Sequence, residues 1–155
     1  MQDSKLRTVR VFSGIGTDLL ADIECYGEFV SRRPGEMIVT QGDPADAIYF
    51  LVDGRAAVYT TDPSGGQNHL YTIEKGGHFG EIGLLEPGGK RTANVRAAGP
   101  CELFRIPASG FEELKKNPNL GVPFLSGLCR SLAIRLADVT GRLSEVWSNK
   151  SAWNI

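Results

Sequence analysis

Residues 47–61 read Ala47-Ile48-Tyr49-Phe50-Leu51-Val52-Asp53-Gly54-Arg55-Ala56-Ala57-Val58-Tyr59-Thr60-Thr61. Two runs of β-branched, aromatic and aliphatic residues flank an Asp-Gly pair, and such runs suit a pleated, half-buried surface. Asp53-Gly54 reads as a tight hairpin turn, because glycine takes positive φ at no steric cost. The pattern continues outward. Met37–Thr40, His69–Ile73, Thr92–Ala97 and Glu102–Ile106 are further short β-type runs, with turns at Ser64-Gly65-Gly66 and Pro87-Gly88-Gly89 between them. Short strands at roughly 8–12-residue spacing predict a mainly β fold, a jelly-roll barrel (double-stranded β-helix). No strand–helix alternation occurs, which argues against a parallel α/β sheet.

Both ends read as helical. Thr17 can cap a helix through about Tyr26, with Leu19, Leu20 and Ile23 on one face. Near the other end, Leu132, Leu136, Val139, Leu143 and Val146 step by 4, 3, 4 and 3 residues, the spacing of one continuous apolar seam on a long helix. Pro123 suits the first turn of that helix. Gly127 and Gly141 within it mark hinge points or close helix contacts. The expected organisation is a single domain over 1–155: a helical lead-in over 4–30, a β-barrel over 31–107 and C-terminal helices over 108–150.

The chain has 155 residues, 17 basic and 18 acidic, for a net charge of −1. That balance argues against holding nucleic acid by bulk electrostatics. No apolar run approaches the roughly 18 residues of a membrane span, and the polar start Met1-Gln2-Asp3-Ser4-Lys5 is no secretory signal. Cys25, Cys101 and Cys129 are odd in number and far apart, so they read as reduced thiols in a cytoplasmic protein. His69 and His78 fall on different strands with no H-x-H motif, a poor start for a metal site, and His78 reads as a surface or turn residue. No nucleophile–base arrangement or P-loop is present, so no enzyme activity and no cofactor are expected.

The segment with recognisable chemistry is 76–97, Gly-Gly-His-Phe-Gly-Glu-Ile-Gly-Leu-Leu-Glu-Pro-Gly-Gly-Lys-Arg-Thr-Ala-Asn-Val-Arg-Ala. Gly80 to Leu85 reads as one short helical turn between strands, its first N–H groups lacking internal partners and suited to an anion. Arg91 offers a planar fork for two phosphate oxygens, and Thr92 adds a hydroxyl. Glu81 is acceptor-only and suits sugar hydroxyls. Together these describe a site for a nucleotide with one phosphate group. On the residues alone, an Arg91–Glu81 ion pair within a turn is the simpler alternative.

This segment resembles the phosphate-binding cassette of the cyclic nucleotide-binding domain family, which includes the catabolite activator protein, the regulatory subunits of cyclic-AMP-dependent kinase and the nucleotide-gated channels. The family pattern F-G-E-[LIV]-[AG]-L, a turn, then R-[ASTP]-A stands here as Phe79-Gly80-Glu81-Ile82-Gly83-Leu84 and Arg91-Thr92-Ala93, with Glu81 and Arg91 ten positions apart. Val11–Ile15, Pro34–Ile38, Gln41–Asp43 and Ile48–Gly54 also resemble family landmarks, so the likeness covers nearly the whole chain.

The resemblance implies a ligand, cyclic AMP or cyclic GMP, held by Phe79, Gly80, Glu81, Ile82, Gly83, Leu84, Arg91, Thr92 and Ala93. Arg91 would hold the exocyclic phosphate oxygens and Glu81 the ribose 2′-hydroxyl. The amides of Gly80, Ile82 and Gly83 would face ribose and phosphate, and Thr92 would donate to phosphate or base. The C-terminal helix would close over the base, with Thr140, Arg142 and Trp147 as candidate contacts. For Thr140 and Arg142 the alternative is a solvated helix face, and for Trp147 a place in the seam. Trp153 is a further aromatic near the terminus. The implied function is a sensor module in which ligand binding moves the C-terminal helix. It would be stand-alone, without a helix-turn-helix, DNA or a membrane among its partners, with a homodimer through the helix and an unidentified downstream protein. The alternative is an interaction protein of the same fold that binds no nucleotide.

Overall fold

β3 (Ala47–Asp53) is buried at six of its seven residues. It lies inside a sheet covered on both faces, which is why the sequence there is continuously apolar. Ile48, Phe50 and Val52 face a cluster that the helices complete, whereas Ala47, Tyr49 and Leu51 face the barrel interior. Side chains alternate across a strand, so one segment serves two cores.

The computed structural model describes residues 3–86 and 88–153, the side chains of 150–153 excepted. Met1-Gln2, the proline of the Pro87-Gly88-Gly89 turn and the Trp153 side chain lie outside the described residues. Among the described residues, eight strands form two four-stranded antiparallel sheets facing one another. One sheet runs in the order β1 (Glu28–Arg32), β8 (Cys101–Pro107), β3, β6 (His78–Phe79). The other runs β2 (Met37–Val39), β7 (Asn94–Ala97), β4 (Ala56–Thr61), β5 (Gln67–Ile73). This is the expected jelly roll with helices at both ends. Two 3-10 turns (Lys5–Thr8 and Arg10–Phe12) and α1 (Thr17–Glu24) precede the barrel, and α3 (Ala108–Lys116) and α4 (Gly121–Trp153) follow it.

The elements depart from the sequence reading as follows. First, Asp53-Gly54 is no hairpin: β3 pairs with β8 and β6, β4 with β5 and β7, so the turn carries the chain from one sheet to the other. Gly54 has φ +91°, and a Cβ there would meet the Pro100 carbonyl oxygen at 2.2 Å, so the turn is tucked beneath the start of β8. The turn read at Ser64-Gly65-Gly66 does close a hairpin, where the Asp62 carboxylate accepts from the Ser64 and Gly66 amides and holds β4 to β5. Second, the barrel starts at Glu28 rather than 31, because β1 pairs residue for residue with β8. Third, Gly16 rather than Thr17 is the N-cap of α1, and the Thr17 hydroxyl accepts a bond from Arg7. Of the apolar seam on α4, Leu132 packs on the core, while Leu136, Val139, Leu143 and Val146 are exposed.

The base of α4 is firmly seated. Phe124 is fully buried among Phe12, Phe50 and Phe111. A Cβ on Gly127 would meet the Val11 carbonyl oxygen at 1.9 Å, so glycine is needed for the helix to lie this close to the Arg10–Phe12 turn. Gly127 is therefore a close contact. Gly141 has open space around it.

Candidate functional site

The cassette begins where β6 ends. Gly80 has φ +90°, the left-handed region that favours glycine, and this kink starts α2 (Glu81–Leu85). A Cβ there would meet the Arg91 Nη1 at 2.5 Å and the Ala47 carbonyl oxygen at 2.9 Å. Gly83 is equally constrained, since its Cβ would meet Ala45 at 2.2 Å. Glycine is thus what lets α2 fold against the mouth of the barrel.

Phe79, Gly80, Glu81, Ile82, Gly83, Arg91, Thr92 and Ala93 border one cavity of about 60 Å³, closed by Val39, Val58, Val95 and Tyr71 of the barrel and by Lys90 and Arg135. Leu84, the ninth residue named from sequence, does not border it: it packs against the helix-side core. Phe79 stacks on Tyr49, centroids 5.1 Å apart, and forms the apolar floor.

Arg91 and Glu81 do not pair with one another. Arg91 is 6% exposed, and its Nη2 donates to Asp46 Oδ1 at 2.8 Å and to the Ala47 carbonyl at 2.9 Å. Its Nη1 approaches the Gly80 carbonyl at 3.4 Å. A guanidinium has five N–H donors, so Nε and one Nη1 hydrogen are left for another acceptor. Asp46 in turn binds Arg105 at 3.2 Å. Although burial opposes its charge, bonds and charges from Arg91 and Arg105 hold Asp46 below the ordinary carboxylate range.

Glu81 is 1% exposed and has partners at both oxygens. Oε2 faces His78 Nδ1 at 3.1 Å, and Oε1 accepts from Arg135 Nη1 at 2.6 Å. Burial works against the carboxylate's charge, but His78 and Arg135 together outweigh it, and Glu81 stays ionised below its ordinary pKa. Arg135 also donates from Nη2 to the His78 carbonyl at 2.7 Å and lies over the Tyr71 ring at 5.9 Å. His78 is fully buried, contrary to the expectation of a surface or turn position, because β6 pairs it with Phe50 and turns its ring toward α4.

A second, larger cleft of about 320 Å³ lies between β5 and α4, bordered among others by Arg10, Glu74, Arg130, Ile134, Asp138, Val139 and Arg142. Tyr71 and Arg135 border both cavities and form the partition between them. Of the base contacts expected from sequence, Arg142 borders the larger cleft. Thr140 is exposed and donates back to the Leu136 carbonyl within the helix, and Trp147 is 62% exposed; neither borders either cavity. Asp46, Tyr71, His78, Ser131 and Arg135 were not singled out from sequence for this site. Ser131 and Arg135 share one helix face, four positions apart, but nothing in that spacing points to the cassette.

Among the described residues no group of three or more His, Cys, Asp or Glu side chains is placed to hold a metal ion, and no single helix is long and apolar enough to cross a membrane.

Comparison with known proteins agrees with this geometry. The profile of the cyclic nucleotide-binding domain matches residues 29–117. The cAMP-activated global transcriptional regulator CRP of Salmonella typhimurium is 32% identical over 121 residues, covering 72% of this chain and 58% of that protein. The chain therefore spans just over half the length of that curated relative. In fold, the catabolite activator protein of Thermus thermophilus superposes with a TM-score of 0.76 at 24% identity, over 88% of this chain and 62% of that one. The N-terminal domain of a transcriptional regulator from Streptomyces coelicolor superposes with a TM-score of 0.70 at 25% identity, over 86% and 95% of the two chains. The matched segment contains both halves of the cassette and the strands that floor it, and on these grounds the chain belongs to the cyclic nucleotide-binding domain family.

Proposed function

We propose that this chain binds cyclic AMP or cyclic GMP at the cassette and reports the occupancy through α4. The observation that carries the reading is the convergence of a buried arginine with spare donors and a buried, ionised glutamate on one cavity beside a glycine-initiated helix turn. Phosphate would take the free donors of Arg91 and the first amides of α2, and Glu81 would accept a ribose hydroxyl on a remaining lone pair. A cavity of about 60 Å³ holds only part of a nucleotide. The base would pass the Tyr71–Arg135 partition into the larger cleft, where Arg142 faces it. Entry of ligand and movement of α4 are then one event, a population shift set by the difference in affinity between the two helix positions. The exposed seam of α4 is the surface through which a second copy would pair.

The test is calorimetric titration with cyclic AMP, cyclic GMP and plain AMP. Saturable binding of at least one cyclic form, with AMP much weaker, supports the reading. A second reading, an interaction module without nucleotide, draws on the protein partners that Glu81 and Arg91 already have. Absence of binding by both cyclic forms would favour it.

A further inference from the structure

His78 is the one histidine in the core, and its ring is held at both nitrogens. Nδ1 lies 3.1 Å from Glu81 Oε2, and Nε2 lies 2.7 Å from Ser131 Oγ on α4. An ionised carboxylate only accepts, so Nδ1 carries the hydrogen. Nε2 and the Ser131 hydroxyl are bonded whichever of them supplies the hydrogen, since the ring nitrogen can accept or donate and the hydroxyl can do both. The result is a continuous chain of Ser131, His78 and Glu81, in which each bond polarises the next. The His78 carbonyl is held as well, by Arg135, one helical turn beyond Ser131. Phenylalanine would fill the same volume beside Phe50 without making this chain.

We infer that His78 is a positioning residue that couples Glu81 to the docked place of α4. The inference rests on the nucleotide-binding reading for its biological use, but not for its physics. The ring has no solvent-exposed surface, so a shift of the Glu81 carboxylate draws the imidazole with it. A shifted imidazole breaks the bond to Ser131, and the helix loses one of its two polar ties to the cassette among the described residues. The other tie is Arg135, which bridges Glu81 and the His78 carbonyl directly.

The experiment is amide hydrogen exchange along α4 in the wild-type chain, His78→Phe, His78→Gln, Ser131→Ala and the His78→Phe/Ser131→Ala double variant. Circular dichroism first confirms that each variant is folded. Without nucleotide, His78→Phe and Ser131→Ala should each speed exchange near residue 131 by about tenfold, the equivalent of one lost hydrogen bond. The double variant should be no faster than either single one, because both break the same link. His78→Gln, whose amide can reach Ser131, should restore most of the protection. Independent, multiplying effects, or wild-type exchange in both single variants, would overturn the coupling. If His78→Phe does not fold, Ser131→Ala and His78→Gln decide the matter alone. With saturating cyclic AMP, the change in α4 exchange should shrink at least threefold in Ser131→Ala relative to wild type. If wild type binds neither cyclic nucleotide, the functional reading fails, and the nucleotide-free arm still decides the coupling.

Discussion

Arg135 of α4 donates to Glu81 of the cassette at 2.6 Å, joining side chains 54 positions apart. Sequence reading brought the C-terminal helix over the cassette but did not name this pair as the link between them. Removing Arg135 leaves a buried carboxylate with His78 as its remaining side-chain partner, and an unsatisfied buried group costs about 1–3 kcal/mol. Arg135→Ala should lower stability by that amount in urea denaturation. An unchanged midpoint would show that the pair contributes nothing.

Arg91→Ala removes the guanidinium from the cavity and leaves the Ala47 carbonyl without its donor. If Arg91 captures phosphate, cyclic nucleotide affinity should fall by about thirty- to three-thousand-fold, the loss that follows truncation of one partner in a buried charge pair. Arg91→Lys should recover only part of this, because an ammonium cannot make the forked contact. Calorimetry on both variants checks the order.

Acid should weaken the fold through Glu81. Its folded pKa lies below its unfolded value of about 4.3, so its contribution is present above that value and is lost as pH falls through the folded pKa. The urea midpoint of wild type should therefore drop as pH falls below about 5, and in Glu81→Gln it should drop less steeply. Parallel curves for the two proteins would remove Glu81 as a source of acid sensitivity.

The glycines divide into two kinds. Gly127→Ala drives a Cβ to 1.9 Å from the Val11 carbonyl and should undock the base of α4, costing more than about 2 kcal/mol. Gly141→Ala meets nothing within 4 Å and should stabilise the helix by about 0.5–1 kcal/mol. Thermal melts of the two variants should shift in opposite directions.

The exposed seam gives a further prediction. Leu136 and Leu143 are 67% and 56% exposed. If a second copy covers them, sedimentation should show a dimer in wild type and a monomer in Leu136→Glu/Leu143→Glu. A wild-type monomer at all concentrations would leave the seam to another partner.

Most strands were legible because β-branched and aromatic runs between glycine-rich turns fix local conformation. Two were not: β1 mixes Glu28, Ser31 and Arg32 with only two apolar residues, and β6 has two residues in all. The hairpin read at Asp53-Gly54 failed for a different reason. Sheet partners are chosen by the whole barrel, and β3 already has a neighbour on each edge. In the site, the glycines, Glu81 and Arg91 could be read because they are close together in sequence. Asp46, Ser131 and Arg135 could not, because only the folded chain brings them to the cassette. The 4-3-4-3 apolar series also drew notice to one face of α4, and its polar contacts lie on another.

Gly127 packs against Val11 at a point about two turns before Arg135 and about five and a half turns before Trp147. At 1.5 Å rise per residue, these are about 12 Å and 30 Å along a straight helix. If the packed glycine acts as a fulcrum, α4 is a lever of unequal arms. A displacement of about 1 Å at Arg135 becomes about 2.5 Å at Trp147, so a change no larger than a rotamer adjustment beside Glu81 is magnified toward the far end of the helix.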